Sequence, residues 1–157
     1  MKWYTLAAKQ GRSSAQYNLG NMYRKGQGVP QDYKTAVKWY TLAAKQGNAS
    51  AQYNLGQMYR LGRGVLQNYK TAVKWYRLAA KQGDADAQVN LGVMYAFGTG
   101  VLKDYVRAHM WGNIAATNGN EMGAKLRDDF EKKMNSTDIS AAQKLARECV
   151  KKKYKGC

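Results

Sequence analysis

Few residues in this 157-residue chain are able to do covalent or acid–base chemistry. There is one histidine, His109, and the two cysteines, Cys149 and Cys157, both fall in the last nine positions. A nucleophile needs an adjacent base and an orienting partner. No Ser-His-Asp or Cys-His arrangement can be built around His109 from its neighbours, so it reads as a packed structural side chain. One histidine and two tail cysteines do not make a zinc set. Gly26-Gln27-Gly28, Gly62-Arg63-Gly64 and Gly98-Thr99-Gly100 imitate phosphate loops, but each follows a helical pattern where a phosphate loop follows a strand, which makes them turns. Asp84, Asp86, Asp128 and Asp129 read as helix-start and surface carboxylates. The sequence predicts no cofactor, no metal and no enzyme.

Recognition chemistry is better supplied. The chain holds 12 Tyr against 2 Phe, and 26 Lys and Arg against 10 Asp and Glu, a formal charge of +16. Residues 1 to 83 carry 14 cations and one acid, Asp32, for +13, whereas residues 84 to 157 carry 12 cations and nine acids, for +3. The basic field belongs to the first half. Aromatic content excludes a disordered tail. Polar residues interrupt every apolar run before the roughly 18 residues of a membrane span, so a soluble chain without a span is expected. With both cysteines in the tail, packing must hold the body of the fold together.

Internal repetition defines the elements that position these residues. Trp3, Trp39, Trp75 and Trp111 recur every 36 residues, and residues 3–38 and 39–74 differ at only seven of 36 positions. Within each unit Ala15, Leu19, Met22 and Tyr23 mark one face of a first helix, helix A. It ends at a glycine pair. A second helix, helix B, runs from about Tyr33 to Gln46 and is apolar over more than half its circumference, so it must be covered on two sides. The fold class is therefore all-α: stacked helix-turn-helix units of an α/α solenoid. A half-unit occupies 1–11, full units 12–47, 48–83 and 84–119, capping helices 120–150, and a basic tail, expected to fray, 151–157.

The recurring residues AQ-x-x-LG-x-x-Y-x-x-G-x-GV, followed by Y-x-x-A-x-x-WY-x-x-AA-x-x-G, resemble the Sel-one-like repeat (SLR) family, a branch of the tetratricopeptide-like solenoids. The resemblance covers residues 3–119. It implies a right-handed superhelix with A helices on its inner curve and an adaptor role in protein assemblies. A cysteine-rich branch of the family is associated with β-lactam binding or hydrolysis. This chain lacks paired cysteines in its repeats, so a β-lactamase-like hydrolase is the weakest alternative.

Two stripes are candidates for binding. Opposite the core face of helix A lie Tyr17, Asn21 and Arg24, then Tyr53, Gln57 and Arg60, then Val89, Val93 and Ala96, with Asn18, Asn54 and Asn90 on the shoulder. This stripe is expected to face outward and to form one surface for a partner protein, peptide or helix of acidic and aromatic character, because Tyr and Arg dominate binding hot spots. On the back of helix B, Lys34, Lys38, Lys45, Lys70, Lys74, Arg77 and Lys81, with Lys2 and Lys9, form an acid-free cationic stripe. Its alternative role is binding a polyanion, either nucleic acid or an anionic surface. A solvated helix back is the preferred reading, because no aromatics interleave with the cations. At the third full unit Lys34 and Lys38 become Val106 and Met110, an apolar face that the C-terminal helices are expected to cover. Met1 stands where Val37 and Val73 stand in later units, so the array starts inside a helix B. Self-association through Trp3, Leu6 and Ala7 would follow from that start. No signal peptide is read in the chain, yet a start inside a helix B, read as a truncation or as a half-unit packed on something else, leaves the compartment open, a periplasmic or secreted location included.

Overall fold

The structure, a computed structural model, describes the backbone of residues 2–157 and the side chains from Thr5 onward. Lys2 and Trp3, assigned above to a basic face and an association surface, have side chains outside the described set. All regular structure among the described residues is helical. The helices are α1 (Lys2–Lys9), α2 (Ser13–Lys25), α3 (Tyr33–Lys45), α4 (Ala49–Leu61), α5 (Tyr69–Ala80), α6 (Ala85–Phe97), α7 (Tyr105–Thr117), α8 (Glu121–Glu131) and α9 (Ser136–Lys151). Helices α2, α4 and α6 are of type A, and α1, α3, α5 and α7 are of type B. The 36-residue helix pairs make this an α/α repeat solenoid. Two compact units divide the chain, Met1–Trp75 and Tyr76–Cys157.

Local chemistry sets the helix ends. Asp32 accepts from the Thr35 backbone N–H at 3.1 Å and from the Thr35 hydroxyl at 2.6 Å, capping α3. Asn48, Asp84, Asp104 and Asn120 cap α4, α6, α7 and α8 in the same way. At Gly62 the chain turns into the left-handed region, φ 66°, and its N–H donates to the Met58 carbonyl. A side chain there would be strained, which is why a glycine ends this helix.

In the first unit the core gathers Leu19, Ala36, Tyr40, Ala51, Leu55 and Met58, all buried. Helices α2 and α3 approach so closely that a methyl at Gly20 would sit 2.7 Å from the Tyr40 ring. A buried glutamine at the start of each helix A joins it to the preceding helix B. Gln16 donates to the Ala8 carbonyl at 3.1 Å, Gln52 to Ala44 at 3.0 Å and, in the second unit, Gln88 to Ala80 at 3.1 Å. These carbonyls lie at the ends of their helices, where the regular i+4 donor is missing and each also accepts from a glycine N–H of the closing turn, Gly11 at 3.1 Å, Gly47 at 3.0 Å and Gly83 at 3.0 Å.

In the second unit α6, α8 and α9 pack around α7, burying Trp111, Ile114, Ala115 and Phe130. A methyl at Gly123 of α8 would meet Ala115 Cβ at 2.6 Å, so this crossing also depends on the missing side chain. The tail expected to fray is tied down. Cys149 and Cys157 form a disulfide, and the Tyr154 hydroxyl donates to Asn118 Oδ1 at 3.0 Å. A covalent loop and an aromatic anchor outweigh the mutual repulsion of Lys151, Lys152, Lys153 and Lys155.

The Asp32 cap makes a pH-dependent prediction. Its side-chain bond to Thr35 holds the carboxyl below its usual value of 3.8, so the native state binds fewer protons than the unfolded chain. Its stabilisation is present above that value and fades as pH falls through the lowered one. Thermal melts should show Asp32→Ala less stable than wild type at pH 7, with the gap closing at strongly acid pH. Asp32→Asn should keep most of the cap, because Asn68, its equivalent, accepts from Thr71 N–H at 2.9 Å.

Candidate functional site

The A-helix stripe of the first unit divides into a structural part and a part facing an open groove. The structural part serves Tyr40, whose ring is buried in the core and whose hydroxyl must find partners. That hydroxyl donates to Asn21 Oδ1 at 2.7 Å and accepts from Arg24 Nε at 3.1 Å. Asn54 approaches the same Asn21 oxygen at 3.5 Å. Burial pushes the Tyr40 phenol up to about 12, against the neighbouring Arg24 charge. Tyr17 leans on Tyr40, with ring centroids 6.1 Å apart, and is half-buried. Asn18 is exposed.

The groove lies beside these residues. Arg24, Tyr53, Asn54, Gln57, Met58, Arg60, Leu61 and Arg63 line a cavity of about 370 Å³. Its wall is ordered by a relay along α4: Gln57 Nε2 donates to the Tyr53 hydroxyl at 2.8 Å, and Arg60 donates to Gln57 Oε1 through Nε at 3.1 Å and Nη2 at 2.9 Å. The Arg63 guanidinium stands 5.7 Å from the centroid of the Tyr33 ring. Among the described residues no carboxylate pairs with Arg24, Arg60 or Arg63. The first unit contains a single acid, Asp32, already committed to capping α3.

Five residues anticipated from the stripe thus meet at the cavity: Arg24, Tyr53, Asn54, Gln57 and Arg60. Tyr17, Asn18 and Asn21 lie outside its lining. Arg63 was missed, because it sits in the turn that follows α4. Its signal was the charge change from Gln27 to Arg63 at equivalent positions in nearly identical repeats.

In the second unit the expectation of an outward stripe fails. Val89 is 8% exposed and Ala96 only 2%, while Val93 and Asn90 are half-buried. Helix α6 is apolar almost all round and is packed by both α7 and α8, and a helix of that composition is covered wherever neighbours are available. The back of the B helices also divides. Lys34, Lys38, Lys45, Lys70 and Lys74 are exposed, and Lys81 is half-buried. Arg77 departs from that face, donating through Nη2 to the Tyr95 hydroxyl at 2.9 Å. His109 is fully buried, with Nε2 2.8 Å from Glu131 Oε1. Among the described residues no group of three or more His, Cys, Asp or Glu could hold a metal ion, and no helix is long and apolar enough to cross a membrane.

Helix pairs of constant length and constant punctuation, each bracketed to the next by a buried glutamine, define a repeat protein of the tetratricopeptide-like class. The Sel1 repeat model matches residues 1–11, 13–48, 49–84 and 85–120, and the chain belongs to that family. Among solved structures it is similar to a Sel1 repeat protein from Oxalobacter formigenes, at 37% identity and a TM-score of 0.78 over 94% of this chain and 61% of that one. It is also similar to a protective antigen of uropathogenic Escherichia coli strains that displays an SLR fold, at 31% identity and a TM-score of 0.64 over 98% of this chain and 42% of that one. The chain therefore spans less than two thirds of the length of either. No curated protein matched it. Sel1 repeat proteins generally act as non-enzymatic protein-interaction scaffolds.

The two classes of polar contact should separate on mutation. Tyr40→Phe leaves Asn21 and Arg24 without their partner inside the helix crossing and is expected to cost about 1 kcal/mol in urea unfolding. Gln57→Ala breaks bonds among half-exposed groups and should change stability by less than about 0.5 kcal/mol.

Proposed function

We propose that the chain is a protein-interaction module whose first unit captures an acidic, aromatic-bearing peptide or helix of a partner in the groove beside α4. The observation that carries this reading is the convergence of Arg24, Arg60 and Arg63 on one cavity with no carboxylate to neutralise them. Guanidinium forks donate paired hydrogen bonds to carboxylates and stack on aromatic faces, so one Asp or Glu next to a Trp, Tyr or Phe satisfies both preferences. Met58 and Leu61 add apolar lining, and the Tyr53 ring supplies area at small entropic cost. The mechanism is passive display. Because Gln57 already orients Arg60, little further ordering is needed when a ligand arrives.

The groove residues recovered from the stripe are Arg24, Tyr53, Asn54, Gln57 and Arg60, to which this reading adds Arg63. Tyr17, Asn18 and Asn21 lie outside its lining. Val89, Asn90 and Val93 are not part of it, their helix being covered.

Peptides selected against the protein from a random display library should be rich in Asp, Glu and aromatic residues. Arg60→Glu/Arg63→Glu should weaken a selected peptide by roughly tenfold or more, and added salt should weaken its binding to wild type. Lys38→Glu/Lys74→Glu, which reverses the back of the B helices, should leave the affinity close to wild type. Equal capture by wild type and the arginine variant, with both folded, would remove the groove from consideration. Loss confined to the lysine variant would favour the polyanion reading.

A further inference from the structure

Helix α7 departs from the earlier B helices in a way that opens a second site. The positions of Thr41 and Lys45 in one repeat, and of Arg77 and Lys81 in the next, are held here by Asn113 and Thr117. Both are short and neutral, with no long cationic side chain at either position where α9 comes to rest on α7, and a cavity of about 310 Å³ is left between the two helices. Its floor is apolar. Ile114 is 1% exposed, although Leu42 and Leu78, at equivalent positions, are each 46% exposed. Ala146 is buried beside it, and Val150 completes the floor while remaining partly accessible.

The mouth of this cavity has the opposite character. Arg147 and Lys151 of α9 are spaced four residues apart, so they project from one helix face. Among the described residues neither has a hydrogen-bond or ion-pair partner, and no carboxylate lines the cavity. The Thr117 hydroxyl is turned towards the Asn113 carbonyl, to which it donates at 3.0 Å, while the Asn113 side-chain amide is left without a hydrogen bond. Beyond the cavity α9 covers α7 again, with Met110 buried near Leu145 and Cys149. The void is therefore a local gap in a covered face, with two uncompensated cations at its edge.

We propose that this cavity binds a small amphipathic carboxylate. The hydrocarbon body would lie on Ile114, Ala146 and Val150, and the carboxylate would meet Arg147 and Lys151, with the Asn113 amide free to donate to it. Apolar floor and cationic rim together select this class: a bare anion has no use for the floor, and a cationic amphiphile is repelled at the mouth. The volume lies at the lower end of small-molecule sites and suits a medium-chain fatty carboxylate. The site is made wholly of residues from the second unit, so it stands or falls independently of the groove in the first.

The probe is sodium laurate kept below its micellar concentration, followed by isothermal titration calorimetry. Saturable one-to-one binding is expected, with no binding of sodium acetate or of dodecyltrimethylammonium. Arg147→Glu/Lys151→Glu should weaken laurate by roughly tenfold or more. Lys70→Glu/Lys74→Glu, which changes net charge by the same amount elsewhere, should leave it unaltered. Thr117→Lys restores the residue type of Lys45 and Lys81, filling the cavity while adding a positive charge, and should weaken binding. Circular dichroism melts establish that each variant is folded. Absence of laurate binding, unsaturable binding, equal loss in the Lys70/Lys74 variant, or tighter binding by Thr117→Lys would each overturn the proposal.

Discussion

The fold depends on joining the end of one helix to the start of the next without leaving polar groups stranded. At the ends of α1, α3 and α5 the carbonyls of Ala8, Ala44 and Ala80 lack the regular i+4 donor and accept instead from the N–H of Gly11, Gly47 and Gly83 in the closing turn, which leaves each with a lone pair to spare. A glutamine in the first turns of the following helix A reaches back eight residues to one of them: Gln16 to Ala8, Gln52 to Ala44, Gln88 to Ala80. The glutamine's own oxygen is met in turn, by Gln46 in the first unit and Asn118 in the second. A hydrogen bond of this kind contributes only about 1 kcal/mol net, but leaving the buried glutamine amide unpaired would cost about as much again or more. Repeated at each junction, it fixes the approach of successive helices, and a rigid approach is what allows side chains of different helices to define a groove.

Shape complementarity at the helix crossings follows from that constraint. Gly20 faces the Tyr40 ring, and Gly123 faces Ala115, with no space for a methyl at either position. Close crossing places the Tyr40 hydroxyl within reach of α2, and Asn21 and Arg24 are drawn in to satisfy it. Arg24 consequently has two duties: one nitrogen closes the core, while the rest of the guanidinium contributes positive charge to the groove. Next to it the Arg60–Gln57–Tyr53 relay orders a charged wall without a carboxylate. The single acid of this unit caps a helix, so no carboxylate of the unit neutralises the positive field.

Much of this was legible in the chain itself. Tryptophan spacing and glycine punctuation located the helices, because a repeated apolar face has to be buried against its copies whatever the details. The α3 boundaries, Tyr33–Lys45, came within a residue of those read from periodicity. The stripe on α4 was also readable, since Tyr53, Gln57 and Arg60 share a face of one helix. Less readable was the fate of the same stripe on α6. Helical periodicity says which residues are opposite one another, but coverage depends on which other helices arrive. Val89 and Ala96 are buried because α6 is packed from two directions, and Arg77 left its basic face because the Tyr95 hydroxyl was close enough to accept from it.

The sequence alone determined the repeat, the helix types, the concentration of positive charge in the first half, and the scarcity of residues for catalysis. These are properties of residue identity and spacing, and they hold before any long-range contact forms. Tertiary structure alone decided which polar residues were consumed in the core, which arginines shared a cavity, and how the tail was secured by Cys149 and Cys157. Those outcomes depend on distances between residues far apart in the chain. They are set to within an ångström by how closely helices cross, a quantity that no single helix carries.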